Sequence, residues 1–224
     1  NGVSLSNPDA PAIDIEEADR TTITLAEGSV NTLTMGTETG AVTSTTAAAK
    51  SRTDSDSAAD KPDGAIFSRG DLTLNGSGTL KVTAITGHGI VSKDDLRFAG
   101  GSYVIQAASD AVRGKDLIAV RTGSFEIEAG ADAFQSSNAE EADKGFIYIE
   151  DGSFRFKAGA DGFQAATALV IKDGDFEGET GGGSVNAVQK TNDGMMWKGG
   201  QPGDGARPER GVPPTGIAPG GVSG

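Results

Sequence analysis

Residues 110–131 read DAVRGKDLIAVRTGSFEIEAGA, and the chain repeats that pattern at once in 132–160, DAFQSSNAEEADKGFIYIEDGSFRFKAGA. It returns again in 161–183, DGFQAATALVIKDGDFEGETGGG. Working backwards, 87–109 (GHGIVSKDDLRFAGGSYVIQAAS) and 63–86 (DGAIFSRGDLTLNGSGTLKVTAIT) keep the same phase of apolar residues and glycines. Self-similarity at a period of about 22 residues predicts a stacked architecture, each unit covering its neighbour's hydrophobic face.

Within each unit the apolar residues alternate with a period of two, which specifies strands and not helices. A first strand carries one inward residue: Ile66, Ile90, Val112, Phe134 and Phe163 in successive units. A second carries Leu72/Leu74, Leu96/Phe98, Ile118/Val120, Ile147/Ile149 and Leu169/Ile171. After a glycine turn, a third carries Leu80/Val82, Tyr103/Ile105, Phe125/Ile127, Phe154/Phe156 and Phe176. By this alternation Phe134 points inward and Gln135 outward. Short strands stacked on their own copies predict an all-β chain, a parallel β-helix with three short strands per coil. Parallel crossovers are overwhelmingly right-handed, so the coil is expected to be right-handed.

The array reads as residues 63–197. Before it, residues 1–62 combine apolar-alternating stretches around Ile13/Ile15, Ile23/Leu25 and Leu33/Met35, read as an entry coil, with a polar excursion at 41–62. After it, residues 198–224 are dominated by Gly and Pro and read as a tail or linker. The unit 132–160, at 29 residues, exceeds the 22-residue step before it by seven, which fall in the acidic stretch SSNAEEADKG. Insertions of this kind map to loops on one face of a repeat array, often the binding face.

A formal net charge of −13 with one His argues against nucleic acid, which demands clustered Lys and Arg. It suits cation binding, solubility or a neutral polysaccharide partner. Without Cys there are no disulfides or thiolate metal sites, and no apolar run reaches the 18 residues of a membrane span. The start NGVSLSNPDAP has no basic-then-apolar leader, which fits a signal peptide already removed as well as one that never existed.

Stacking turns one residue per unit into a ladder, here Asp110, Asp132 and Asp161. Rungs about 4.8 Å apart would place unit charges that repel by about 3.5 kcal/mol at an effective dielectric near 20. Calcium accepts oxygens at about 2.3–2.6 Å and could bridge two rungs, helped by Asn138, Glu140, Glu141 and Asp143 from the insertion. The alternative is a polar ladder in which each Asp caps backbone N–H groups in its turn, with no ion. His88 continues the phase upstream, as a turn residue or a ligand. A second ladder, Arg69-Gly70-Asp71, Lys93-Asp94-Asp95 and Lys115-Asp116, reads as a solvated face of salt bridges. Most Phe residues fall at inward positions, leaving Trp197 and Tyr148 as the rings that could stack on sugars. No P-loop, Rossmann or nucleophile motif occurs.

The units HGIVSKDDLRFAGGSY, DAVRGKDLIAV and DAFQSSNAEEADKGFIYIEDGSF resemble the bacterial carbohydrate-binding-domain β-helix family, secreted or cell-surface proteins similar in fold to pectate lyases. The resemblance covers roughly residues 10–195 and implies bound calcium and binding to cellulose or acidic plant polysaccharide. His88 and Gly183 depart from the ladder residue of the pattern. Three functions follow as expectations. The first is a noncatalytic extracellular polysaccharide-binding protein with structural calcium. The second is a calcium-dependent lyase in which Lys115 or Arg113 takes the proton beside a uronate carboxylate. The third is a structural subunit of a filament or surface layer, self-associating through exposed coil ends.

Overall fold

Seventeen strands and no helix make up the regular structure of the described residues, 2–37 and 61–181 of this computed structural model. The excursion at 41–62, except its last two residues, lies outside them, as do Gly183, Trp197 and the tail 198–224. No helix here is long and apolar enough to cross a membrane.

The chain opens with β1 (Ser4–Asn7), followed by β2 (Ile13–Ile15), β3 (Arg20–Leu25) and β4 (Val30–Met35). The repeats then contribute β5 (Gly64–Ser68), β6 (Asp71–Gly76) and β7 (Thr79–Ala84), then β8 (His88–Ser92) and β9 (Asp95–Ala107). Next come β10 (Val112–Gly114) and β11 (Leu117–Ala129), then β12 (Phe134–Ser136), β13 (Phe146–Ile149) and β14 (Ser153–Ala158). The described array closes with β15 (Phe163–Ala165), β16 (Ala168–Ile171) and β17 (Asp175–Thr180).

The ladders between successive units are parallel. A six-stranded sheet runs β15-β12-β10-β8-β5-β2, and an eleven-stranded sheet collects the second and third strands of every unit. Along the six-stranded sheet Ile13, Ile66, Ile90, Val112, Phe134 and Phe163 stand in one register. All-β, parallel and consistent with a β-helix-like coil, the arrangement departs from the expected three short strands in two units. There β9 and β11 each run 13 residues as one strand through the predicted glycine turn. The register shifts around Thr122 absorb the bend, so the ladder continues where a break was expected. Among the N-terminal strands, β2, β3 and β4 pair with β5, β6 and β7 as a unit of the same stack.

Period-two alternation buries alternate side chains along β6, β7 and β13, whereas β5 and β8 are buried throughout. Leu72, Leu74, Ile90, Leu96, Ile118, Val120, Ile147 and Ile149 are fully enclosed. Aromatic rings stack from unit to unit, with Tyr103, Phe125, Phe154 and Phe176 at centroid separations of 4.9, 5.0 and 4.7 Å. Phe134 packs edge-on against Phe125 and Phe154. At the last described unit, Leu169, Ile171 and Phe176 are exposed, because no further described strand covers them.

Candidate functional site

The six-stranded sheet supplies the site, because its outward row differs from its inward one. Asp14, Phe67, Val91, Arg113, Gln135 and Gln164 share one register facing away from the core. One residue beyond the ends of β5, β8 and β10 come Arg69, Lys93 and Lys115, which the parallel register makes equivalent. Like positions in adjacent parallel strands lie about 4.8 Å apart. A chain of net charge −13 therefore concentrates cations in one column. Arg69 and Lys93 lie over the Phe67 ring, 5.7 and 5.6 Å from its centroid, and Arg69 also pairs with Glu16 at 2.7 Å.

Arg69, Lys93, Arg113 and Lys115 line a groove of about 650 Å³. Its other wall is the insertion, through Ser137, Asn138, Ala139 and Glu140. Asn138 and Lys144 fasten that wall to the stack through Asp116. Asn138 Nδ2 donates to Asp116 Oδ1 at 2.7 Å, and Lys144 Nζ stands 2.9 Å from Asp116 Oδ2 and 3.0 Å from Glu141 Oε1. Asn138 Oδ1 accepts the backbone N–H of Glu140 and of Glu141, so it orders the loop itself. Glu140 and Asp143 are exposed. The insertion is thus held by hydrogen bonds and does not reach the Asp110, Asp132 and Asp161 ladder.

That ladder is occupied by N–H donors. Asp110 Oδ1 accepts the backbone N–H of Asp132 at 3.0 Å, and Asp132 Oδ1 accepts that of Asp161 at 2.9 Å. Asp132 Oδ2 accepts from Gln135 Nε2 at 2.9 Å, and Asp110 Oδ2 lies 3.2 Å from His88 Nδ1. Asp110 and Asp132 each cap the amide of the following rung, so a calcium bridging them would share these carboxylates with the amide donors. Burial raises the Asp132 pKa, with the Asp110 and Asp161 charges adding to it against the Asp161 amide and Gln135. Gln135 corrects the expectation of a free outward side chain: it is 8% exposed and also donates to Gln164 Oε1 at 2.7 Å.

Carboxylates converge elsewhere. Asp71, Asp94 and Asp95 bring one oxygen each within 4.8 Å of one another, immediately beside the cation column. Arg97 bonds Asp71 at 3.2 Å and also Asp95, and Asp94 hydrogen-bonds Asp116. Burial, the Asp116 hydrogen bond and the Asp71 charge hold the Asp94 pKa above the usual carboxylate range. Burial opposes the downward shift of Asp116, but Asn138 and Lys144 outweigh it. Asp71, Asp94 and Asp95, read from the sequence as part of a solvated face, also bring oxygens close enough together to hold a hard cation, with Arg97 already bonded to two of them. Register alone could have found them, since Asp71 and Asp95 are equivalent positions on β6 and β9.

His88 heads the capping ladder. Its Nδ1 is 3.1 Å from the Asp110 backbone nitrogen and 3.2 Å from Asp110 Oδ2; its Nε2 is 3.4 Å from Asp63 Oδ2 and 3.2 Å from Arg113 Nη1. Burial lowers the His88 pKa, but hydrogen bonds and charges from Asp110 and Asp63 raise it above its ordinary 6.5. Burial opposes ionisation of Asp63 and Asp110 too, yet His88 holds both below 3.8. The imidazolium's stabilisation is complete below pH 6.5 and is lost as pH rises through the raised folded-state value. The carboxylates' contribution is present above pH 3.8 and is lost as pH falls through their depressed values. Melting temperature across pH should therefore show wild type exceeding His88→Asn most in mildly acid solution. The excess should shrink towards alkaline pH, and a pH-independent difference would refute the assignment.

A protein of Acetivibrio thermocellus described as a carbohydrate-binding domain-containing protein is 32% identical over 107 residues, 48% of this chain. The match spans about a third of that relative's length, 33%. A solved structure described as the polysaccharide lyase-like protein from C. thermocellum, gadolinium derivative, is 29% identical with a TM-score of 0.69. The alignment covers 81% of this chain and 68% of that one. The family model for carbohydrate-binding domain-containing proteins matches residues 1–204, nearly the whole sequence, and the chain belongs to that family.

Proposed function

We propose that the protein is a noncatalytic, extracellular polysaccharide-binding module whose ligand is an acidic glycan, carried on a right-handed parallel β-helix. The observation that carries the reading is the column Arg69, Lys93 and Lys115, with Arg113, lining one groove of an otherwise acidic molecule. A uronate polymer offers carboxylates at regular intervals, and a column of cations repeated by the stacking period complements such a chain. Neutral cellulose fits this groove less well, because it lacks charges to meet those cations. Secretion or cell-surface display follows from the same reading, since such polymers are extracellular.

The test is binding of polygalacturonate by the Lys93→Ala/Arg113→Ala/Lys115→Ala variant. Exposed charge contacts contribute about 0.5–1 kcal/mol each, so affinity should fall roughly 10–100-fold, and wild-type binding should weaken with salt. Unchanged affinity would remove the groove from the reading. Accumulation of unsaturated product, followed by absorbance, would replace it with the lyase alternative in which Lys115 or Arg113 is the base.

Calcium enters the proposal as a structural ion. Asp71, Asp94 and Asp95 would hold it, and it would neutralise their mutual repulsion beside the cation column. Calcium at 100-fold excess over its dissociation constant should stabilise the fold by about 2.7 kcal/mol. EDTA should reverse this, Asp95→Asn should abolish the response, and Asp132→Asn should retain it. A response lost in Asp132→Asn and kept in Asp95→Asn would return the ion to the Asp110, Asp132 and Asp161 ladder.

A further inference from the structure

The cations of the groove differ in how they are held. Arg113 is half-buried on β10, and its guanidinium meets a histidine held by Asp110 on its far side and Asp63 on its near side. The groups facing this imidazole are Asp63 ahead of β5, Asp110 ahead of β10 and Arg113 itself; Lys93, after β8, acts on Asp63. With its proton on Nδ1, pointing at Asp110 Oδ2, the neutral ring offers the Nε2 lone pair to Arg113 Nη1 at 3.2 Å. The ring is itself fixed: it is 8% exposed, and β8 is buried along its whole length. Asp63 adds a second negative group on the Nε2 side, 3.4 Å away, with its Oδ1 buried and unpartnered.

We infer that His88 is a positioning residue for the groove, holding the Arg113 guanidinium where a ligand carboxylate meets it. A long arginine side chain gives up much rotamer freedom when it binds, and one already seated gives up less. The capping ladder and the groove are joined at this point. The residue that heads the structural column also orders a binding residue two positions away in register from the column cations. The inference rests on the reading of the groove as an anion-binding site.

The two ring nitrogens allow the roles to be separated. Asparagine at position 88 reproduces the Nδ1 side, so the amide of His88→Asn keeps a donor for Asp110 Oδ2 and loses the contact with Arg113. Glutamine reaches the Nε2 position, so His88→Gln keeps an acceptor for the guanidinium. The measurement is calorimetric affinity for an oligogalacturonate in buffer more alkaline than the raised folded-state pKa of His88, with melting temperature as the folding control. His88→Asn should bind about fivefold more weakly and His88→Gln close to wild type. In an Arg113→Ala background His88→Asn should change nothing further.

Equal affinity of His88→Asn and wild type would overturn the inference. So would an equal loss in the Arg113→Ala background, which would make His88 only a structural residue. If Arg113→Ala is silent while Lys93→Ala and Lys115→Ala weaken binding, the groove reading stands and this inference falls. If wild type does not bind, both fall together.

Discussion

Phe134→Ala is expected to destabilise the protein by about 3–5 kcal/mol, the range for truncating a fully enclosed aromatic ring. Phe134 has no exposed surface and touches three ring neighbours, edge-on to Phe125 and Phe154 and stacked on Phe163 at 5.0 Å. The cavity would open between units and cannot be closed by a hinge, because parallel pairing on both sides fixes the strand. Gln135→Ala, one residue on, should cost about 1–2 kcal/mol, since it strips Asp132 Oδ2 of its donor. Chemical denaturation of the two variants checks both numbers. Equal midpoints would mean that the inward and outward faces of β12 are wrongly assigned.

Gly145→Ala is the second large effect expected, and it acts through backbone. Gly145 has φ +71°, and a Cβ there would lie 1.9 Å from the Asn138 carbonyl oxygen. Its N–H donates to the Asp116 carbonyl at 2.6 Å, closing the loop that walls the groove. Left-handed backbone alone costs a non-glycine residue about 1–3 kcal/mol, and the clash adds to it by pushing the loop off Asp116. Gly28→Ala is the control, with φ +67° but nothing within 4 Å of its Cβ. Gly145→Ala should lose more stability than Gly28→Ala and should also weaken polyanion binding, which Gly28→Ala should leave alone. Identical effects of the two would show that only the dihedral angle matters.

The core was legible because a two-residue period and a fixed repeat both point to one answer. Ile90, Val112 and Phe134 could be placed in one column before any coordinates existed. The site was legible in composition more than in geometry. Asp110, Asp132 and Asp161 were visible as a ladder, but the sequence could not say whether their oxygens meet a cation or the amides of the next unit. That choice depends on tenths of an ångström along the stacking direction; one oxygen of Asp110 and one of Asp132 meet the amide of the next unit. Asp71, Asp94 and Asp95 were visible too, yet looked like ordinary surface charge. Their convergence requires two units to be superposed at a corner, which pairing supplies and local spacing does not. Gln135 was misjudged because an outward face was equated with solvent, whereas neighbouring polar side chains close over it.

The longer unit has a consequence for how such proteins diversify. The step from Asp110 to Asp132 is 22 residues and from Asp132 to Asp161 is 29, yet the capping bonds across them measure 3.0 and 2.9 Å. The seven extra residues leave the capping step unchanged. Lengthening a loop costs little closure entropy, since each doubling adds only about 0.6 kcal/mol. Loop length at this corner is therefore close to a free variable, able to drift or be selected while the column beneath stays constant. Ligand preference among relatives would then be inherited separately from the fold, and grafting a foreign segment between Ser137 and Gly145 becomes a practical route to new recognition.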